Sequence, residues 1–173
     1  FERDRMVGLT FRALWKRLGG TWSGRVQEGS TPETARSVAS HVAPPWREVL
    51  RPLNKHSDNA HTRLLYLLLG VHSKATSSAE ATTFERADRE IRDWLQAHKI
   101  SAQGLVLDNG SGLSRSERIT PRALALMLKT AHESRYASDL LMSLPVAGED
   151  GSMRNRLKNS AATGWARLKT GSL

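Results

Sequence analysis

Cysteine is absent from the 173 residues, which excludes disulfides, thiolate metal sites and a cysteine nucleophile and leaves the compartment open. Long hydrophobic runs are absent as well. A membrane-spanning helix needs ~20 apolar residues, and the longest run, Leu64 to Val71, is broken by a glycine. No tract of five or more like charges occurs, although the net charge is +9. The basic residues are spread over many segments with acids between them, so a solvated surface is expected and a nucleic-acid footprint is not. There is no internal repeat, and a starting Met and a signal-like segment are missing before Phe1. A processed product, or a piece of something longer, is the expectation. The six histidines (His41, His56, His61, His72, His98 and His132) show no ligand spacing, so neither a metal nor a cofactor is expected.

What is present reads mostly as helix. Val7, Phe11, Leu14, Trp15 and Leu18 form one stripe that ends at Gly19-Gly20. Residues 21–28 and 36–42 read as short strands, and a short helix opens at Pro44-Pro45 and closes at Pro52. The stretch from Asn59 to Leu69 is apolar nearly all round, which predicts the most buried helix, with Leu64, Leu65 and Leu68 inaccessible. A polar linker, residues 72–82, leads to a capping-box pattern at Thr82 and Glu85. The helix it opens should turn Phe84, Ile91 and Leu95 inward. Leu105 to Leu107 reads as a strand entering the turn Asp108 to Ser114, and Thr120-Pro121 opens another helix. Residues 136–144 read as helix and 165–170 as a final strand. The five tryptophans are assigned to core packing. Together these elements predict an α+β domain, an antiparallel sheet with packed helices, with 1–173 a single partial domain.

Two tripeptides carry chemistry. Ser57-Asp58-Asn59 stands at a helix entry, and Lys169-Thr170-Gly171 lies on the last expected strand. Taken alone, the first is a good N-cap and the second a strand end with a turn. Together, with Lys169 following Asn59 by 110 positions, they match the second and third motifs of serine β-lactamases and penicillin-binding proteins. The segments 54–56, 108–115 and 144–151 extend the match. The chain thus resembles the class C low-molecular-mass penicillin-binding proteins, of the penicillin-binding protein 4 type.

That resemblance implies part of a transpeptidase-like fold, without its nucleophile, in the C-terminal portion of a periplasmic or cell-envelope protein. It implies a serine-type D-Ala-D-Ala carboxypeptidase or endopeptidase that acts on peptidoglycan peptides and is acylated by β-lactams. Ser57 would relay a proton, Asn59 would bind the substrate amide, and Lys169 would place an ammonium in the cleft. Thr170 and Ser172 would donate to the substrate carboxylate, and Gly171 would let substrate approach. A class A β-lactamase shares both motifs but deacylates through a Glu with Asn four residues on, and no Glu here has Asn at that offset. No serine is followed three positions later by lysine. The chain alone is therefore expected to be inactive, with the missing N-terminal segment of the same protein as its partner. A non-catalytic peptidoglycan-binding or interaction module is the alternative, and a homodimer is left open.

Overall fold

The computed structural model describes residues 3–27, 29–73 and 81–171. Most of the expected linker 72–82, and Ser172, lie outside these. The chain divides into two units, Phe1–Val42 and Ala43–Leu173.

Among its described residues the first unit contains one helix, α1 (Arg3–Arg17). Its stripe forms as expected but stays open to solvent, with Phe11 half exposed and Leu18 84% exposed. Phe11 stacks on Trp15 at 5.9 Å and meets Trp22 edge-on at 5.4 Å. The strands expected over 21–28 and 36–42 do not form among the described residues. Side chains occupy the carbonyls that a ladder would have used: Trp15 Nε1 donates to Thr21 O, and Arg12 and Trp22 donate to Gly24 O. Val38 and Val42 have no apolar surface to cover them.

Among the described residues the second unit holds five helices: α2 (Trp46–His56), α3 (Asn59–His72), α4 (Thr83–Ala97), α5 (Pro121–His132) and α6 (Ala137–Ser143). One turn of 3₁₀ helix, Gly151–Met153, follows. The start and stop signals were mostly sound. Thr82 and Glu85 close a reciprocal capping box, and Thr120 Oγ1 accepts the Ala123 N–H at 3.2 Å ahead of Pro121. Pro52 does not close α2 as expected. It sits inside the helix on an exposed face, so only the Glu48 carbonyl loses its helical donor.

The core gathers between α4 and α5. Leu95, Ile100 and Ala123 are buried there, with Ile91, Leu105, Ile119, Leu126 and Met127 packed around them. The expected inward face of α4 is thus correct. That of α3 is not: Tyr66 and Gly70 are its buried residues, while Leu64 is 54% exposed and Leu68 only half-buried. Hydrophobicity all round a helix does not say which face meets a neighbour. The α3–α4 crossing decides it, and a Cβ on Gly70 would collide with the Thr83 carbonyl. Nor do the tryptophans form the core: all five are exposed, Trp165 at 84%.

The expected antiparallel sheet is absent from the described residues. Only two isolated antiparallel bridges occur, Val106 with Arg118 and Val146 with Arg167. Trp165, expected to start the final strand, ends a turn instead, and beyond it Leu168 N and Ala147 N bond Pro145 O and Ala166 O at 2.8 and 2.9 Å. The pairing stops there because Ala147 to Asp150 turn away. The Val146 N–H, which would face a further strand, is taken instead by the Asp150 carboxylate at 2.8 Å.

Candidate active site

The left-handed turn that ends α2 is the first component of the site. Its C-cap, Ser57, has φ +57°, a conformation that costs a non-glycine residue on the order of 1 kcal/mol. Asp58 then caps α3, with Oδ1 accepting the His61 N–H at 3.0 Å and Oδ2 2.7 Å from His61 Nδ1. The backbone N–H and side chain of His61 hold the Asp58 carboxyl below its usual range. The three residues of the tripeptide part in their placement. Asp58 caps the helix, while Ser57 and Asn59 line a cleft.

Across that cleft, Lys169 Nζ donates to Ser57 Oγ at 2.7 Å and to Thr170 O at 3.0 Å. The bond closes 112 positions of sequence, and it is the proximity that the paired motifs predict. Because the ammonium donates, the Ser57 hydroxyl keeps its own proton to offer elsewhere. Partial burial lowers the Lys169 pKa, and no carboxylate among the described residues pairs with it.

The cleft has a volume of about 520 Å³. Its lining includes Asn54, Ser57, Asn59, Lys169, Thr170 and Gly171, so five of the six expected site residues meet there; the sixth is Ser172. Two described side chains of the lining are cationic, Lys169 and Arg156, and none is a carboxylate. The space is thus electrostatically suited to an anion.

Several lining residues were missed from the sequence. Ser111, Gly112 and Leu113 belong to the turn assigned only a structural role, yet they form one wall. With its amide nitrogen turned to satisfy the surroundings, Asn59 donates to Ser57 O at 3.3 Å and to Ser111 O at 3.1 Å. It therefore ties that wall to the Ser57 turn. Glu117 Oε1 holds the loop's shape by accepting the N–H groups of Asn109 and Gly110 at 3.2 and 3.1 Å. The glycine-serine pattern was a usable signal for Ser111, whereas nothing in the sequence marks Glu117.

Ser152 and Arg156 were missed too, since they enter through a loop held from a distance. Lys55, 8% exposed, donates to Leu144 O at 2.7 Å and to Asp150 Oδ2 at 2.6 Å. Partial burial alone would raise the Asp150 carboxyl. The Lys55 ammonium, the Val146 N–H and the Arg51 charge outweigh it and hold the pKa below the usual value. Asn54 Nδ2 adds a bond to Ser143 Oγ at 2.8 Å. At the end of this loop Ser152 Oγ lies 2.7 Å from Thr170 Oγ1.

Known proteins share this arrangement of the chain. The family described as the D-Ala-D-Ala carboxypeptidase 3 (S13) family matches residues 1–173. A D-alanyl-D-alanine carboxypeptidase of an Actinomadura species is 31% identical over 99% of this chain and 32% of its own length. The carboxypeptidase DacB of Mycolicibacterium smegmatis is 30% identical over 79% of this chain and 30% of its own. The crystal structure of penicillin binding protein 4 from Haemophilus influenzae superposes with a TM-score of 0.81 at 24% identity. It covers 100% of this chain and 38% of that one, a likeness of fold. This chain therefore spans about a third of the length of the curated relatives it matches. With the family matched from end to end, the chain belongs to the D-Ala-D-Ala carboxypeptidase 3 (S13) family.

Proposed function

We propose that this chain supplies the proton-relay and carboxylate-binding half of a serine-type D-Ala-D-Ala carboxypeptidase or endopeptidase. The observation that carries the reading is the 2.7 Å bond from Lys169 Nζ to Ser57 Oγ in a cleft with no carboxylate among its described lining residues. Its substrates are peptidoglycan stem peptides and cross-links in the periplasm or cell envelope, and β-lactams acylate the same site. The H. influenzae structure complexed with a β-lactam supports that ligand class.

The geometry supports the following division of labour. A peptide ending in D-Ala-D-Ala carries a carboxylate, which the Lys169 ammonium and the Thr170 hydroxyl are placed to receive. Ser57, polarised by Lys169, passes a proton to the departing amine. Asn59 holds the turn that carries Ser57 against the Ser111 wall. The attacking serine comes from a Ser-x-x-Lys segment, which these 173 residues do not contain. Acylation passes the carbonyl carbon to that serine and releases D-Ala, and water then frees the acid.

Fluorescent penicillin followed by a denaturing gel tests this. The complete polypeptide, joining this chain to a Ser-x-x-Lys segment, should carry the label, and its Lys169→Ala variant should label at least about 10²-fold more slowly. An unlabelled complete polypeptide would favour a non-catalytic peptidoglycan-binding module instead.

A further inference from the structure

We propose that Ser152 is a positioning residue, which aims the Thr170 hydroxyl at the ligand's carboxylate, and that the ion pair of buried Lys55 with partly exposed Asp150 holds Ser152 in place. This inference rests on the function proposed above, and it adds a residue that the two motifs do not contain.

A threonine hydroxyl has one proton and rotates freely unless a partner fixes it. Ser152 Oγ is that partner, at 2.7 Å from Thr170 Oγ1, and either atom can donate. The surrounding charge chooses between them. With Lys169 and Arg156 lining the cleft and no acid among the described lining residues, the occupant is an anion. An anion accepts the Thr170 proton, which leaves the Thr170 lone pair to accept from Ser152. The two hydroxyls then point their protons in one direction, and each polarises the other.

The support beneath Ser152 is built for accuracy rather than access. Asp150 receives Lys55 Nζ at 2.6 Å through one oxygen and the Val146 N–H at 2.8 Å through the other. Gly151 follows at φ +53°, lying so close to α2 that a Cβ would strike the Lys55 carbonyl. The loop thus rests on the last turn of α2, two positions before Ser57. Met153 is buried behind it, and Met153 O accepts the Gly148 N–H at 3.1 Å. The bonds between 145–147 and 166–168 fix the segment that carries Thr170 to the same loop. Ser57, Ser152 and Thr170 are therefore referred to one frame, whose central contact is the Lys55–Asp150 pair.

The test uses the complete polypeptide and two substrates, an N-acetylated D-Ala-D-Ala peptide and its C-terminal amide. Ser152→Ala should raise KM for the carboxylate peptide about tenfold, with kcat changed by no more than about twofold. The amide, which offers no anion to Thr170, should lose less than about twofold in kcat/KM. Ser152→Thr, which keeps the hydroxyl, should regain most of the loss. Ser152→Cys, a poor donor of similar shape, carries the same comparison should the alanine variant fail to fold. If the unmodified protein releases D-Ala and the variants lose equally on both peptides, or lose nothing, the positioning role is overturned and the function stands. If the unmodified protein releases nothing, the function is overturned and this inference with it.

Discussion

Lys169 and Asp150 both add stability as pH rises, in separate pH windows, and each can be checked. Burial lowers the Lys169 pKa from 10.5, so between the lowered value and 10.5 the unfolded chain binds more protons than the folded one. The folded state is penalised while Lys169 is charged, and it gains stability as pH rises through that window. Urea unfolding should therefore show the stability gap between Lys169→Met and the unsubstituted chain narrowing as pH approaches 10.5. Asp150 has the same sign in an acidic window. Its folded pKa lies below 3.8, so its contribution is present above 3.8 and is lost as pH falls through the lowered value. Asp150→Asn should flatten that acid loss. At neutral pH it should cost about 2 kcal/mol, because Lys55 stays buried without its charge partner. The figure sits below that for a fully buried pair since the Asp150 side chain is 39% exposed. Thermal unfolding of the variant at neutral and acidic pH measures both effects.

At the scale of elements, the crossing of α3 and α4 is the contact least tolerant of change. Gly70 admits the Thr83 carbonyl where any Cβ would collide, so Gly70→Ala should destabilise the second unit by about 2–3 kcal/mol or more. Thr82→Ala removes one half of the capping box at the start of α4 and should cost about 1 kcal/mol. Chemical denaturation of the two variants, compared with the unsubstituted chain, orders them; a Gly70→Ala cost no larger than that of Thr82→Ala would sink the close-crossing argument. Helix ends were legible because capping is local: a Thr and a Glu three positions apart satisfy each other whatever surrounds them. Helix faces were not, as α3 demonstrates. Leu64 and Tyr66 are both apolar in sequence, yet Tyr66 is buried and Leu64 half exposed, since only one side of the helix meets α4.

For the molecule as a whole, the 173 residues hold the Lys169 ammonium and the Ser57 hydroxyl but no Ser-x-x-Lys segment. Without a covalent step, weak carboxylate binding remains and turnover should stay near background. We expect the isolated chain neither to cleave D-Ala-D-Ala peptides nor to keep a fluorescent penicillin through a denaturing gel. A labelled band at its own mass would refute the half-site argument. Arg156, which lines the same cleft as Lys169, should add to what binding remains, and Arg156→Ala should weaken it several-fold in an NMR titration with an N-acetylated D-Ala-D-Ala peptide.

Residue order alone determined the helix boundaries at Thr82 and Thr120, the inward face of α4, and the pairing of Ser57 with Lys169. The boundaries and the face follow from spacing, because caps and amphipathic faces are set within a few positions; the pairing comes from the resemblance of the two tripeptides, in that order, to a family's paired motifs. Tertiary structure decided the rest. It left the expected sheet as two isolated bridges, since a strand needs an aligned neighbour and Asp150 takes the N–H that a neighbour would use. It exposed the tryptophans, which composition assigns to the core. It also brought Ser111, Ser152 and Arg156 into the cleft through Glu117 and the Lys55–Asp150 pair. Lys55 and Asp150 are separated by 95 positions, and a bond that long in sequence leaves no periodic or local trace.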